Sequence, residues 1–469
     1  MKRTPFRSAF LKGDIMAKKA KTVFVCQECG YESAQWMGQC ICGAWNSMIE
    51  EKVMPENATD SRSRSDKKVN RPQALKSVES GHFSRMTTGI GELDRVLGGG
   101  LVKGSLTLIS GEPGIGKSTL IVQAASNISN KYGKVLYISG EESEEQIKIR
   151  ADRVCQSISD NLLVLSETNL ENVMNICESE EPAFLIIDSI QTMYTEDLDS
   201  APGSVSQVRA CGNMLMKLGK TKNIPIFIVA HVTKSGDLAG PKIVEHLVDC
   251  VLNFTGERDQ ELRILRAFKN RFGTTSEIGA FQMAEEGLVE VKNLSGSLLE
   301  GGSRIAEGAV SSAVYEGSRA VLFEIQALAA TAGAGFPRRT AIGIDNQRLS
   351  MLLAVLEKRA WLNLSDQDVY VNVVGGLKPE GTSVDLATCL AIYSSAKNYV
   401  PKERILAIGE VGLTGEIRNV AGGEKIIAEA SRLGYSKMIV PKKCAEKVSL
   451  DGVVGVSNIY QAIKEYTKQ

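Results

Sequence analysis

The sequence contains few histidines and no excess of charge of either sign. Only three of its 469 residues are histidine, which limits catalysis based on that side chain. Lysine plus arginine and aspartate plus glutamate both total 55, so nucleic-acid binding would have to rest on local patches rather than on net charge. No apolar run is long enough to span a bilayer. We therefore expect a cytoplasmic protein with no membrane partner.

Ten cysteines are too few for a disulfide scaffold in a chain of this length. Six of them are scattered, several among apolar neighbours, which is typical of a reducing cytoplasm. The other four form two close pairs, Cys26 with Cys29 and Cys40 with Cys42. Each pair can bring two thiolates to one tetrahedral Zn²⁺, and four such ligands make a closed structural site. Residues 23–50 are therefore predicted to be a zinc ribbon-like module, with free surface thiols or a redox pair as alternatives.

The length of the chain predicts two or three domains. Residues 1–22 are basic but lack a secretory apolar core, and we interpret them as a tail. A transit peptide, or a true start at Met16, would explain the same composition. Residues 51–84 are rich in serine, asparagine and charged side chains without an apolar period, which predicts a flexible linker.

A phosphate-binding pattern follows this linker. The apolar run SLTLIS is typical of a buried strand, GEPGIGKST follows it, and LIVQAASNIS indicates a helix. In such a loop, glycines let backbone N–H groups close around phosphate oxygens at the positive end of the helix. Lys117 is predicted to contact the β- and γ-phosphates of ATP, and Ser118 to ligate Mg²⁺. The predicted nucleotide-binding set is Gly111, Glu112, Pro113, Gly114, Ile115, Gly116, Lys117, Ser118 and Thr119.

Four further apolar runs alternate with helical patterns, namely VLYIS, LLVL, FLIID and IFIVA. This alternation predicts an α/β fold with a parallel sheet, in which ligands bind beyond the carboxyl ends of the strands. Asp188 ends one strand and is predicted to hold Mg²⁺. Glu141, which with Glu142 follows VLYISG, is predicted to activate the attacking water, and His231 to sense the γ-phosphate. For each of these residues an ordinary polar strand end is the alternative.

These motifs together resemble the RadA (Sms) family of bacterial DNA repair proteins, which is related to the RecA recombinase. The matching stretches are the paired cysteines, TTGIGELDRVLGGG, GEPGIGKST, YISGEES, LIIDSIQT, VAHVTKSGDLAGPK and KNRFG. The resemblance runs from about Met16 to the C-terminus and implies a RecA-like P-loop NTPase core, here placed at 85–287. It also implies a hexameric, ATP-driven motor that binds single-stranded and branched DNA, has RecA as a partner and promotes branch migration. In such cores the residue corresponding to Glu141 is the expected water activator.

The resemblance gives the KNRFG motif a function. The motif falls on residues 269–273, and its cations Lys269 and Arg271 are expected to reach a neighbouring subunit's nucleotide or the DNA. Without the resemblance, the motif is a basic strand end whose charges are as well explained by solvation.

Two stretches are expected to form loops that face DNA, by analogy with RecA. They are residues 195–207 and 232–245, which contain glycine or proline and follow predicted core strands. Lys234 and Lys242 give the second loop cations for phosphate contacts. A plain surface loop is the alternative for both.

A connector is predicted at 288–308, followed by a second α/β domain at 309–469. This region resembles the proteolytic domain of Lon proteases, in which a lysine activates a serine nucleophile. Ser383 occupies the nucleophile position, but the lysine position falls on Gly423. The domain contains no histidine that would serve as a base instead. We therefore predict a protease-like fold without proteolysis.

The leading hypothesis is a DNA-dependent ATPase motor with ATP, Mg²⁺ and Zn²⁺ as cofactors. An ATP-dependent protease of the Lon type is the second hypothesis, because Lon also joins a motor to such a domain. The missing lysine and the RecA-like motifs count against it. A nucleotide-switched assembly or signalling ATPase is the third, because clock-type relatives share the segment LDRVLGGGL.

Overall fold

The computed structural model describes residues 21–26, 31–53, 85–230, 241–256, 261–299, 305–333 and 336–468. These residues form a three-stranded sheet, a nine-stranded sheet, a seven-stranded sheet and two small two-stranded sheets. Helices pack against the two large sheets, so the predicted α/β fold class is confirmed. Within the described ranges, no helix is long and apolar enough to cross a membrane.

The N-terminal module is a small antiparallel sheet. Its strands are β1 (Lys21–Cys26), β2 (Glu32–Ser33) and β3 (Met48–Val53), in the order β2-β1-β3. Among its described residues, the buried apolar cluster consists of Cys26, Cys40 and Met48, with Phe24 and Met37 packed against it. A core of this size is too small to hold a fold without a further cross-link. The predicted tail and linker lie outside the described residues, except for the first residues of β1 and the last of β3.

The first large domain begins at Arg85. Its strands are β4 (Arg85–Met86), β5 (Leu101–Val102), β6 (Leu106–Gly111), β7 (Val135–Ser139), β8 (Leu162–Ser166), β9 (Phe184–Asp188), β10 (Ile226–Val229), β11 (Cys250–Thr255), β12 (Leu262–Asn270), β13 (Ile278–Ala284) and β14 (Gly287–Glu290). Its helices are α1 (Gly91–Val96), α2 (Lys117–Tyr132), α3 (Glu144–Val154), α4 (Leu170–Glu180), α5 (Val205–Lys222) and α6 (Pro241–Leu247).

Nine of these strands form one sheet in the order β14-β13-β12-β11-β6-β10-β9-β7-β8. The strands from β11 to β8 are parallel, and β12, β13 and β14 add an antiparallel edge. Helices cover both faces and give two apolar cores, one on each side. Because the central strands are buried on both faces, their sequences are continuous apolar runs rather than alternating ones. The carboxyl ends of the parallel strands therefore meet at one edge, where the predicted site residues lie.

The second large domain is built on a seven-stranded sheet in the order β17-β18-β16-β15-β19-β22-β23. Its strands are β15 (Ala309–Glu316), β16 (Arg319–Thr331), β17 (Arg339–Ile342), β18 (Gln367–Val373), β19 (Ile405–Ala407), β20 (Glu410–Val411), β21 (Ile417–Arg418), β22 (Lys437–Pro441) and β23 (Val453–Val456). Its helices are α7 (Leu294–Leu299), α8 (Asn346–Arg359), α9 (Asp385–Ala396), α10 (Gly423–Arg432), α11 (Lys442–Ala445) and α12 (Ile459–Tyr466).

The boundary between the two large domains differs from the predicted one. Strand β14 pairs with β13, so the first sheet extends to Glu290, into the segment predicted to be a connector. Helix α7, from the same segment, packs on β16 of the second domain. Across the boundary, Arg319 donates two hydrogen bonds to the buried carboxylate of Glu92, at 2.7 and 2.6 Å. The two domains are therefore joined by a shared core and by the buried Glu92–Arg319 ion pair. The sequence alone does not predict that these two residues pair.

Candidate nucleotide and zinc sites

The phosphate-binding loop connects β6 to α2, where the sequence pattern places it. Gly111, Gly114 and Gly116 adopt φ values of 150°, 80° and 114°. A Cβ on Gly111 would lie 2.6 Å from the carbonyl oxygen of Phe254, so the adjacent strand leaves no room for a side chain. The first turn of α2 then presents its N–H groups to the loop interior. This is the arrangement that binds phosphate oxygens.

Lys117 is the first residue of α2 and is almost fully buried. Its Nζ donates to the carbonyl oxygens of Gly111 at 2.7 Å and Glu112 at 3.0 Å. Burial lowers the pKa of Lys117 to about 8, while the carboxylates of Asp188, Glu141 and Glu112 oppose this shift. The amine is thus mainly charged at neutral pH. It is held inside the loop that would surround a triphosphate.

Ser118 and Asp188 lie together as a magnesium site requires. Ser118 Oγ donates to Asp188 Oδ2 at 2.9 Å, and the hydroxyl of Tyr137 donates to the same oxygen at 2.5 Å. Burial, together with the negative charge of Asp188, raises the pKa of Tyr137 well above its usual value, so the phenol remains a donor. A hydroxyl and a carboxylate are hard oxygen ligands that suit Mg²⁺. The donor set therefore fits the predicted ion.

The two glutamates after β7 have different environments. Glu141 accepts a 2.5 Å hydrogen bond from Ser189 Oγ, next to Asp188. Glu142 instead forms a two-bond ion pair with Arg150 of α3. A carboxylate held by two guanidinium hydrogen bonds is a poor proton acceptor. The geometry therefore favours Glu141 as the water activator.

A cleft of about 430 Å³ brings the predicted residues together. Its lining includes residues from the loop, the start of α2 and the ends of β7 and β9, namely Gly114, Gly116, Lys117, Ser118, Thr119, Glu141 and Asp188. Arg150, Arg153 and Met283 also line it, and sequence analysis missed all three because they belong to no motif. Tyr137 was missed as well, although it lies inside a predicted strand. His231 lies outside the described residues.

The KNRFG motif lies at the opposite end of the sheet from the phosphate-binding loop. Lys269 pairs with Val251, which pairs with Leu108 near the start of β6, whereas the loop follows the end of β6. Strand β12 ends at Asn270, so Arg271 lies just beyond it rather than on the strand. Lys269 Nζ donates to the carbonyl oxygen of Glu245 at 2.7 Å, and Arg271 pairs with Asp249 at 3.0 Å. Neither cation faces the cleft of its own chain.

The first predicted DNA-facing loop, residues 195–207, exposes acidic side chains. Glu196, Asp197 and Asp199 are exposed, and the segment contains no lysine or arginine. The buried side chain of Gln207 donates to the carbonyl oxygens of Thr195, Leu198 and Ser200 and so holds the loop in shape. Such a loop offers no lysine or arginine for phosphate contacts. Most of the second loop, including Lys234, lies outside the described residues, as does the side chain of Lys242.

The N-terminal module brings three of the predicted zinc ligands together. The Sγ atoms of Cys26, Cys40 and Cys42 lie within 4.8 Å of one another, and those of Cys26 and Cys42 are 3.8 Å apart. Zinc–sulfur bonds of about 2.3 Å in a tetrahedron put sulfurs about 3.8 Å apart, so the cluster fits Zn²⁺. Cys29, the fourth predicted ligand, lies outside the described residues.

We expect the purified protein to contain one zinc per chain and the Cys40→Ser variant to lose it. The described part of this module buries too few apolar residues to hold its fold without metal, so the segment from about Val25 to Ile49 should unfold locally. Metal analysis and limited proteolysis measure the two effects. Cys155→Ser, in the first large domain, serves as the control and should keep its zinc. Wild-type protein purified without chelators and found to contain no zinc would contradict the assignment.

The position that corresponds to the Lon nucleophile has no basic partner in the described structure. Ser383 Oγ donates to the carbonyl oxygen of Ala313 at 3.1 Å. A Cβ on Gly423, the position of the missing lysine, would lie 2.5 Å from Cys444 Sγ. Lys425, two residues later, donates to the hydroxyl of Tyr315. Cys444 therefore lies in the space that a side chain at position 423 would need.

Family models match three parts of the chain. The AAA domain model matches residues 70–237, the rubredoxin metal binding domain matches 24–50, and subunit ChlI of Mg-chelatase matches 334–444. The first match covers the phosphate-binding loop and Asp188, and the second covers all four predicted zinc ligands. The third covers much of the second large domain, including Ser383 and Gly423.

Three curated relatives are similar over nearly their whole length. DNA repair protein RadA of Bacillus subtilis (strain 168) is 50% identical over 457 residues, which are 95% of this chain and 98% of the relative. DNA repair protein RadA of Halalkalibacterium halodurans is 48% identical over 455 residues, or 96% and 99% of the two chains. The Listeria monocytogenes protein of the same name is also 48% identical over 455 residues, with the same coverage.

Proposed function

The chain belongs to the family of the bacterial DNA repair protein RadA, and we propose that it is a DNA-dependent ATPase that binds single-stranded DNA and drives branch migration of recombination intermediates. The observation that carries the ATPase activity is the cleft that brings together Lys117, Ser118, Asp188 and Glu141. The DNA substrate rests on the names of the relatives and on the motifs shared with RecA-like motors.

Each residue of the cleft has a role that follows from its position. The N–H groups of the loop and the amine of Lys117 bind the β- and γ-phosphates of ATP and stabilise charge that develops there. Ser118 and Asp188 hold Mg²⁺, which neutralises phosphate charge when bound. Tyr137 fixes the carboxylate of Asp188 through its hydrogen bond. Glu141 orients the attacking water and accepts its proton.

A homo-oligomeric ring, with six subunits as in related motors, completes the proposed function. The position of Lys269 and Arg271, away from the cleft of their own chain, supports a site shared between subunits. In such a ring the cations of one subunit contact the nucleotide of the next. RecA is the proposed protein partner, because the proposed substrates are the intermediates that a recombinase makes.

We propose that the second large domain is a scaffold without peptidase activity. A lysine at position 423 would collide with Cys444, and the hydroxyl of Ser383 bonds to a carbonyl oxygen rather than to a base. The buried Glu92–Arg319 pair fixes this domain against the ATPase domain. Its contribution is therefore to assembly and to transmission of movement rather than to bond cleavage.

Measurement of ATP hydrolysis with and without a single-stranded oligonucleotide tests this function. We expect DNA to raise the turnover number. We also expect labelled four-way junctions to be converted to duplex products by branch migration only when ATP is present. Casein incubated with the protein and ATP should stay intact. Turnover that does not respond to any DNA would contradict the DNA-dependent motor. Casein cleavage that requires ATP would favour the Lon-type alternative.

A further inference from the structure

An arginine that belongs to no sequence motif lies in the nucleotide cleft beside the proposed water activator. Arg150 Nη1 and Nη2 donate to the two carboxylate oxygens of Glu142 at 2.6 and 2.5 Å. The two side chains are 21% and 35% exposed, so the pair is more than half buried. The hydrogen bonds to Glu142 raise the pKa of Arg150 further above its usual value. This geometry makes the pair stronger than an exposed surface salt bridge.

We propose that Arg150 is a positioning residue which, by holding Glu142, fixes the turn that presents Glu141 to the nucleotide. The inference rests on the role of Glu141 in the proposed function. Arg150 acts through Glu142 and the turn, and not by contact with the reacting atoms.

The backbone of this turn is anchored on both sides of Glu141. Ser139 Oγ accepts a hydrogen bond from the N–H of Glu142 at 3.0 Å and donates to its carbonyl oxygen at 2.7 Å. The N–H of Gly140 donates to the carbonyl oxygen of Asp188 at 2.8 Å. Arg150, two turns along α3, adds a contact to the side chain of Glu142, beside the hydrogen bond from Ser189 to the side chain of Glu141. A shift of about 1 Å in a reacting group can cost about 100-fold in rate, so such an anchor matters.

The Arg150–Glu142 pair also reduces electrostatic repulsion in the cleft. Two neighbouring carboxylates at the edge of a phosphate site repel both each other and the incoming triphosphate. Glu142 also lines the cleft, and Arg150 neutralises its carboxylate and holds it in place. Glu141 is then the carboxylate that acts on the water.

The alternative role for Arg150 is direct contact with a phosphate group, since it lines the same cleft. The two roles predict different kinetics. Loss of a direct contact to bound nucleotide raises the KM for ATP, whereas loss of a positioning contact lowers kcat. They also predict different results when substitutions of Arg150 and Glu142 are combined. If the two residues act as one unit, the loss of kcat in the double variant is smaller than the product of the two single losses.

The test is steady-state ATP hydrolysis, with DNA present, by Arg150→Ala, Glu142→Ala and the double variant. Each single change is expected to lower kcat about 10- to 100-fold with the KM for ATP within about threefold of wild type. The double variant should be no slower than the slower single one. Lys148→Ala, which breaks the exposed Lys148–Asp152 pair on the same helix, is the matched control and should behave as wild type. If Arg150→Ala does not fold, Arg150→Lys replaces it in the test. Lysine keeps the charge but loses the bidentate contact to Glu142, so this variant should show the same fall in kcat.

Three results would overturn the inference. They are a kcat within twofold of wild type for Arg150→Ala or Arg150→Lys, a tenfold rise in KM at unchanged kcat, and losses that multiply in the double variant. Glu141→Gln, measured in the same series, separates this inference from its premise. Normal turnover by Glu141→Gln would remove the assignment of the water activator itself. An inactive Glu141→Gln beside a normal Arg150→Ala would remove only the role of Arg150.

Discussion

Lys117→Ala is expected to lower ATP turnover by about two orders of magnitude or more while the fold stays intact. The amine is the buried cation of the phosphate-binding loop, and it lies within reach of the triphosphate that the loop would surround. Removal of a preorganised charge of this kind usually costs about 100- to 1000-fold in rate. In the nucleotide-free protein the substitution removes hydrogen bonds to Gly111 and Glu112, each with a net contribution of about 1 kcal/mol, and the attraction to the nearby carboxylates.

The matched control is Lys131→Ala, at the exposed end of the same helix. Lys131 donates to Thr87 and lies a helix length away from the loop. It should leave turnover unchanged. Turnover and the thermal midpoint of unfolding are measured for both variants, so that loss of activity can be separated from loss of fold. Near-normal turnover by a folded Lys117→Ala protein would refute the nucleotide site.

Local patterns made much of the first domain predictable. The strands β7 and β9 have the bounds that the apolar runs indicated, and the loop between β6 and α2 lies where the glycine spacing placed it. Both signals depend on a few consecutive residues. A buried parallel strand must be apolar throughout, and a phosphate loop needs glycine at fixed positions.

Contacts between distant residues were not predictable. Arg150 and Glu142 are eight residues apart, and nothing in the local sequence shows that a helix will bring them together. Arg319 and Glu92 are 227 residues apart, and their ion pair depends on how two domains pack. The boundary predicted at 287 falls on the first residue of β14, because a four-residue strand at a sheet edge has little sequence signal.

The acidic loop at 195–207 shows the limit of analogy. Its place after β9 led us to expect a DNA-facing loop by analogy with RecA, but its exposed side chains include Glu196, Asp197 and Asp199. Three carboxylates repel a phosphate backbone. The basic side chains that a DNA-facing loop would use for phosphate contacts are therefore missing from this segment.

Lys269→Ala is expected to bind ATP and assemble normally but to hydrolyse ATP at least about 100-fold more slowly, even with DNA. The pairing register sets Lys269 level with Leu108 of β6, and Glu112 of the phosphate-binding loop lies four residues further along, roughly 13 Å away at about 3.3 Å per residue. A cation at that distance cannot serve its own nucleotide. In GTPases, an arginine supplied to the γ-phosphate contributes about 10³-fold or more, and a cation from a neighbouring subunit would act in the same way.

The contacts of Lys269 in the single chain are consistent with such a role. Its amine rests on the carbonyl oxygen of Glu245, near the end of α6, and burial together with the nearby Arg271 lowers its pKa. A phosphate from a neighbour would be a stronger partner than a carbonyl oxygen. Lys103, an exposed lysine in the turn before β6 and at the same end of the sheet, gives the matched control. Lys103→Ala should leave turnover unchanged.

A mixture of Lys269→Ala and Lys117→Ala subunits tests whether the site is shared. Each variant lacks a different half of the site, so mixed rings contain some sites with both halves intact and should recover partial turnover. Absence of recovery in rings shown to be mixed would count against a site between subunits. If the cation serves DNA instead, turnover without DNA survives in Lys269→Ala. DNA affinity then falls, and its dependence on salt becomes shallower because one phosphate contact is lost.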